Sequence, residues 1–315
     1  MAAIFIENFK QLRNSIPILP DLMEDPQRVI NRLADMPGIV ACEGNQVLGY
    51  LTWYLVDEFR GTERKGAYCP EWGHGAVNPI FYRALYRAAA GQWAAAGCEV
   101  HAISLLANDQ AAREIWFWNG FGLTGVDAIR PITPPGVAAP TGITIRPATL
   151  ADVEGWVALE IEHSRHYTLP PISMAAHETE DADDFTTFLS QPDNSIWLAL
   201  DDNTDGNTAI GFIGFQSNSF GAAAIVDAPD KIAITGTYIR PQYRGRRVAA
   251  AILDAALRDY ESRGFKRCSV DFEAFNPEAA AFWLKYFEPI CLSVIRVPER
   301  IVQDAGVLIS DQKLS

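Results

Sequence analysis

The chain has 315 residues, of which 49% are hydrophobic and 21% are charged, and its formal net charge is −13. This length is sufficient for two domains of ordinary size, each with its own core. Because an acidic surface repels phosphate groups, we expect no nucleic-acid partner. No apolar run approaches the roughly 20 residues that span a bilayer, and the amino terminus lacks the regions of a signal peptide. We therefore expect a cytoplasmic protein with no membrane partner.

The five cysteines are odd in number and none is paired at short range: Cys42, Cys69, Cys98, Cys268 and Cys291. This spacing argues against a disulfide framework and against a Cys-x-x-Cys metal site. Cys69 and His74 are near enough in sequence to share a metal ion, but two further ligands are missing. We expect small buried thiols and no metal.

The first half contains alternating and helical apolar patterns. They predict strands at Gly38–Glu43 and Val47–Val56, a long helix opened by Asn78-Pro79, a strand over residues 99–106 and a helix from Asn108. Between Pro131 and Gly142 the sequence PITPPGVAAPTG has no periodicity, which is typical of a linker. We therefore divide the chain into residues 1–131, a linker at 132–142, and residues 143–315.

The second half begins with a predicted strand at Ile143–Pro147, and Thr149 is the expected cap of the following helix. Further predicted elements are a helix at 178–190, strands at about 195–200, 208–216 and 231–239, a helix at 244–262, a strand at 266–275, a helix from Asn276 and a strand near 290–297. The acidic run in the 178–190 helix fits a solvated helix face better than a substrate funnel.

The two halves share a pattern near their ends. Asn108, Ala111, Ala112 and Trp116 correspond to Asn276, Ala279, Ala280 and Trp283, with one residue of slippage. The order of elements is also the same, except that the first elements of the amino-terminal half are expected to be missing. This pattern indicates an internal duplication of a domain of about 150 residues.

Three arginines lie at the start of the predicted helix at 244–262: Arg244, Arg246 and Arg247. A helix amino terminus carries partial positive charge, so cations there are unfavourable unless an anion binds between them. Gly245 would allow the backbone to approach such an anion closely. The pattern predicts a phosphate cradle, although it is neither a P-loop nor a dinucleotide fingerprint. The alternative is that these arginines pair with surface carboxylates.

At these residues the chain resembles the GCN5-related N-acetyltransferase (GNAT) family. The family pattern R/Q-x-x-G-x-G/A is matched in part by RGRRVA at residues 244–249, where Arg247 replaces the middle glycine. The second family pattern, N-x-x-A-x-x-x-Y, is echoed by Asn276, Ala279 and Trp283, with Trp in place of Tyr. The resemblance implies an α/β fold with a mixed sheet, in two tandem GNAT-like domains of which the first is degenerate.

The resemblance further implies that acetyl-CoA is the co-substrate and lies between the splayed fourth and fifth strands of the second domain. Its acetyl group would pass directly to a primary amine of a small molecule, and the acidic second half favours a cationic acceptor. Tyr286 is the candidate donor to the leaving thiolate, because the indole of Trp283 does not release its proton. The implied cofactor-binding residues are Tyr238, Ile239, Arg244, Gly245, Arg246, Arg247, Val248, Ala249, Asn276 and Trp283. A non-catalytic acyl-CoA sensor or a scaffold remains the alternative.

The candidate base lies on the predicted strand at 266–275. Side chains of a strand alternate between its faces, so Asp271 and Glu273 share the face opposite the core. Two neighbouring carboxylates repel, which would raise the pKa of one of them toward neutrality. Glu273 is preferred because it lies nearer the carboxyl end of the strand. A solvated face or a pairing with arginine is the alternative, and His163 and His166 are further candidates in the acceptor pocket.

Overall fold

The computed structural model describes residues 1–175, 179–204, 208–217 and 222–299. Eight helices lie in these ranges: α1 Ala2–Ser15, α2 Pro26–Leu33, α3 Phe81–Ala95, α4 Gln110–Trp118, α5 Val153–Thr168, α6 Ala182–Ser190, α7 Val248–Ser262 and α8 Pro277–Tyr286. The strands of the amino-terminal half are β1 Gly38–Glu43, β2 Gln46–Thr52, β3 Tyr54–Val56, β4 Gly66–Cys69, β5 His74–Ala76, β6 Val100–Leu106 and β7 Gly122–Pro131. Those of the carboxy-terminal half are β8 Ile143–Pro147, β9 Ser195–Asp201, β10 Thr208–Gln216, β11 Lys231–Ile239, β12 Arg267–Glu273 and β13 Glu288–Arg296.

Ten strands form one sheet in the order β3-β4-β6-β13-β7-β12-β11-β10-β9-β8, and β1, β2 and β5 form a second, small sheet. Neighbours are antiparallel except for the parallel pairs β4·β6 and β11·β12. The predicted mixed α/β class is confirmed. Helices cover the sheet because strands with mostly buried side chains, such as β6 and β10, must be shielded from water.

The two halves exchange their last strands. β7, which ends the first half, pairs with β12, and β13, which ends the second half, pairs with β6. β7 and β13 also pair with each other at the centre of the sheet. The predicted linker at 132–142 lies between β7 and β8, and the ten-stranded sheet contains strands from both sides of it.

The first elements of the amino-terminal half are more complete than the sequence indicates. α1 and α2 precede β1, as α5 and α6 precede β9, and only a counterpart of β8 is missing. α1 buries Phe5, Phe9 and Leu12, which recur at helical spacing on one face. The expectation that the first elements of this half are missing is thus wrong for the helices. The predicted strand at Val47–Val56 is divided at Trp53, since β2 pairs with β5 and β3 pairs with β4.

One apolar core joins the halves on one side of the sheet. It combines Phe5, Phe9 and Trp72 from the first half with Ile225 and Val226 from the second. The cysteines are free, and all but Cys42 are buried. Within the described ranges no cluster of three or more His, Cys, Asp or Glu could hold a metal ion, and no helix there is long and apolar enough to cross a membrane.

Candidate active site

The candidate site begins where β11 and β12 separate. The two strands pair in parallel only from Lys231 to Ile234 and from Arg267 to Val270. Beyond these residues β11 continues to Ile239 along β10, while β12 continues to Glu273 along β7. The sheet therefore opens, as the sequence resemblance implied.

A cleft of about 470 Å³ occupies this opening, a volume within the usual range for small-molecule sites. Its walls come from α5, the end of β11, the segment that follows β11, β12 and α8. The predicted site residues that line it are Tyr238, Ile239, Arg244, Gly245, Arg247, Val248, Ala249, Asn276, Trp283, Tyr286 and Asp271. Arg246 and Glu273 are not among the lining residues.

The segment at 244–249, called the cradle below, enters α7 through two left-handed residues. Gly245 has a φ of 73° and Arg247 a φ of 64°. A left-handed residue cannot belong to a right-handed helix, so α7 begins at Val248 rather than at 244 as predicted. The arginines consequently precede the helix instead of occupying its first turn. Arg247 also keeps the backbone conformation that the family glycine would supply.

The amide groups at this helix start are available to a ligand. Within the described part of the chain, the amides from Gly245 to Ala250 donate to no backbone or side-chain acceptor, and Arg247 caps α7 without a side-chain hydrogen bond. The Nε of Arg244 donates a hydrogen bond to the Ile239 carbonyl at 2.9 Å. Successive amides that converge on one point form an anion-binding concavity.

The three arginines differ in their partners. Arg244 pairs with Glu278, with Nη1 and Oε1 3.4 Å apart, so the alternative of carboxylate pairing holds for this residue. The guanidinium of Arg246 lies over the Tyr243 ring, 5.4 Å from its centroid. Arg247 forms no ion pair with a described residue. It is therefore the arginine most available to an anion in the cleft.

Two polar side chains of the cleft have particular environments. Thr237 lines the cleft, and its buried Oγ1 has no hydrogen-bond partner among the described residues, which is unfavourable unless a ligand supplies one. Asn276 is buried, and its Oδ1 accepts a hydrogen bond from the Ala279 amide at 3.1 Å, so Asn276 caps α8. No local sequence pattern selects Thr237, because its position matters only where the sheet opens.

Residues 157–287 match the sequence model of the acetyltransferase (GNAT) family. The carboxy-terminal half therefore contains a GNAT-type acetyltransferase domain, and the matched span includes the cradle, β11, β12 and α8.

Several solved structures are similar to this chain over most of its length. A GCN5-related N-acetyltransferase from Sphaerobacter thermophilus is 12% identical, with a TM-score of 0.55 and coverage of 89% of this chain and 88% of that one. A second, from Kribbella flavida, is 14% identical, with a TM-score of 0.46 and coverage of 85% and 90%. A tandem GNAT protein from the clavulanic acid biosynthesis pathway is 13% identical, with a TM-score of 0.46 and coverage of 82% and 81%. No curated protein matches the sequence.

The two carboxylates of β12 have different surroundings. Asp271 is exposed into the cleft, where the surrounding walls displace bulk water and Glu273 adds a like charge, and both effects raise the pKa of Asp271 to about 6. The carboxylate of Glu273 instead pairs with Arg60, with Nη2 and Oε1 3.3 Å apart, and bonds to the Tyr167 hydroxyl. The preference for Glu273 therefore loses its basis, because Glu273 is occupied and Asp271 faces the cleft.

Both candidate histidines, His163 and His166, lie within α5, which continues to Thr168. They line the cleft beside the Tyr238 ring. His163 Nδ1 is 3.2 Å from the Glu160 carboxylate, which is also buried. Glu160 precedes His163 by three residues, a spacing that the sequence alone could have identified. Burial and then the nearby Arg244 lower the pKa of His166.

Proposed function

We propose that this protein transfers an acetyl group from acetyl-CoA to a primary amine of a small molecule, and that its carboxy-terminal half performs the reaction. The observation that carries this proposal is the cradle, with its two left-handed residues and its unpaired amides beside the opening of the sheet. Arg247 lines the same cleft and adds a positive charge to it. Such an arrangement suits a pyrophosphate group.

The remaining cleft residues suit the rest of a CoA thioester. The backbone at Thr237, Tyr238 and Ile239 is paired with β10 on one side only, which leaves the opposite side for an extended ligand arm. The unsatisfied Oγ1 of Thr237 supports the same interpretation. Trp283 and Asn276 close the wall from α8. When bound, acetyl-CoA supplies an activated thioester.

Acetyl transfer from the thioester to an amine forms a C–N bond and breaks a C–S bond. One proton must leave nitrogen and one must reach sulfur. Asp271 is our proposed base, directly or through one water, since it faces the cleft and its pKa lies close enough to neutrality to exchange protons. Tyr286 is our proposed proton donor to sulfur, because this residue lines the same cleft. His163, held by Glu160, is the next candidate base.

The amino-terminal half is proposed to bind no CoA. At the start of α3 the amides of Phe81, Tyr82 and Arg83 donate to preceding carbonyls, and that of Ile80 donates to Asn78 Oδ1. Pro79 has no amide hydrogen. In addition, His74 Nε2 lies 2.8 Å from the Ser104 carbonyl and so spans the opening between β5 and β6.

The first test is calorimetric titration of the full chain with CoA. We expect one site per chain, and Arg247→Ala should weaken binding by about 1–3 kcal/mol, the range of charge-assisted hydrogen bonds. Arg258→Ala is the matched control, because it removes an equal charge from the far end of α7. No binding at all would favour a scaffold, and two sites would contradict the assignment to one half.

The second test measures thiol release from acetyl-CoA with a panel of primary amines that includes diamines, amino sugars and amino acids. Amine-dependent release in the wild type is expected. CoA binding without release for any amine would instead favour a sensor, which is the reading that Trp283 at the family's Tyr position supports.

A further inference from the structure

Arg60 extends from the amino-terminal half to the end of β12. It lies in the loop between β3 and β4, and its Nη2 is 3.3 Å from Glu273 Oε1 and 3.8 Å from the sulfur of Met174. Its guanidinium is also 5.9 Å from the centroid of the Phe275 ring. All three contacts are with the carboxy-terminal half, and Glu273 and Phe275 lie at the end of the strand that carries Asp271.

The backbone at Arg60 is unfavourable for an arginine. Its φ of 53° and ψ of 42° lie in the left-handed region, and Gly61 follows with a φ of 68°. For a residue other than glycine this conformation costs about 1–2 kcal/mol. Two glycines would form this turn with less strain. The side chain of Arg60, rather than its backbone, therefore explains why an arginine occupies the turn.

Asp271 is surrounded by charged and titratable groups on several elements. Glu273 shares its face of β12, Asp127 lies directly opposite on β7, Lys231 lies on β11 and Tyr167 lies on α5. The carboxylates in this set outnumber the lysine, and the buried Asp127 already has its pKa raised by burial and by Asp271. An arginine paired with Glu273 therefore lowers the net negative charge around Asp271.

We propose that Arg60 is a positioning residue of the transfer reaction, which neutralises Glu273 so that Asp271 is the carboxylate left to take the proton of the acceptor. This inference rests on the proposed function, because only the transfer reaction gives Asp271 a proton to accept. The electrostatic coupling of Arg60, Glu273 and Asp271 does not itself require a substrate. It assigns the amino-terminal half an indirect part in the reaction, through Glu273. The group supplied by that half is separated from its partner by 213 residues of sequence.

The coupling can be measured without an acceptor. Carbon NMR of the full chain labelled at the aspartate carboxyl carbons reports the titration of each Asp, and Asp271→Asn assigns the relevant signal. Arg60→Ala should raise the titration midpoint of Asp271 by about 0.5–1 on the pH scale, because Glu273 then acts uncompensated. Glu273→Gln should lower it, and the double variant should return close to the wild-type value. Arg60→Lys should keep the wild-type midpoint, because it keeps the charge.

Arg64→Ala is the matched control, since it removes an exposed arginine from the same loop. An unchanged midpoint in Arg60→Ala, or an equal change in Arg64→Ala, would overturn the inference. If Arg60→Ala does not fold, Arg60→Gln takes its place, since it also removes the charge: it should raise the midpoint of Asp271, whereas Glu273→Gln should lower it. Where an amine substrate is found, the acidic limb of kcat/KM should follow the NMR midpoints in each variant. Failure of every amine with intact coupling would refute the proposed function and leave this inference standing.

Discussion

Gly245 and Arg247, separated by one residue, both have left-handed backbone conformations, and only one of them is a glycine. Arg247→Gly should therefore stabilise the ligand-free protein by about 1 kcal/mol, because glycine adopts this conformation without strain. In a thermal melt this corresponds to a rise of about 2–4 °C.

The matched variant is Gly245→Ala, which should lower stability by a similar amount. No atom lies within 4 Å of the added Cβ, so its cost is that of the backbone alone. Arg247→Ala keeps the strain and should leave the melting temperature nearly unchanged. Shifts of the same sign in Arg247→Gly and Gly245→Ala would contradict this account.

Asp271→Asn should lower kcat by about 10²–10⁴, the usual contribution of a general base, and should leave CoA affinity nearly intact. Glu273→Gln should have a smaller effect, since Glu273 is held by Arg60 outside the cleft lining. Initial rates with acetyl-CoA and the best amine of the panel measure both. Equal losses in the two variants would restore Glu273 as a candidate.

The pH dependence of activity should follow from the pKa of Asp271. This pKa is raised from 3.8 to about 6, and a base must be unprotonated to act, so kcat/KM should fall as the pH drops through 6. A limb near pH 4 would instead indicate that the base has an ordinary carboxyl pKa. Measurements at saturating acetyl-CoA with the best amine of the panel distinguish these cases.

Glu71 should make the stability of the protein pH-dependent. It is almost fully buried, and burial raises its pKa to about 7 although the Ile225 and Ala224 amides lower it. A carboxyl group with a raised pKa in the folded state stabilises the protein at low pH, and this contribution is lost as the pH rises from 4.5 to 7. The loss is up to about 3 kcal/mol.

Glu71→Gln removes this titration while it keeps an acceptor for the Ile225 amide. The difference in melting temperature between pH 5 and pH 8 should therefore shrink in the variant. Glu99→Gln is the control, because Glu99 is exposed. A difference as large as in the wild type would show that other groups cause the pH dependence.

Residues 1–131 and residues 143–315, expressed separately, should each fail to form a stable monomer. Each lacks the strand that completes its part of the sheet, because β13 pairs with β6 and β7 pairs with β12. Co-expression of the two fragments should restore a compact complex on gel filtration. A cooperative thermal transition in either isolated fragment would show that it folds alone.

The parts of this architecture that depend on local sequence patterns could be predicted from the sequence. Periodicity located most elements of the second half, and the bounds of β9, β10 and β11 agree with the predicted strands within one residue. The exchange of β7 and β13 could not be predicted in this way. After a duplication, the two strands present similar apolar faces to two similar sheet edges, so sequence pattern does not select between them.

In the candidate site, too, local features could be predicted from the sequence and long-range contacts could not. The cradle depends on residues adjacent in sequence, so a short motif identified it. The choice between Glu273 and Asp271 could not be made in this way, because it depends on the contact of Glu273 with Arg60, which no local pattern connects to β12. The left-handed conformation of Arg247 likewise became visible only with the backbone in place.

The hydroxyls of Ser104 on β6 and Ser293 on β13 are 2.9 Å apart, although 189 residues separate them. A ribosome that adds about 5–20 residues per second therefore leaves the β6 edge without its neighbour for roughly 10–40 s. During that time the nascent chain presents an unpaired, apolar strand edge, which is a hazard for aggregation. The order of synthesis thus compels both halves to complete their sheet together, and only when the chain is almost finished.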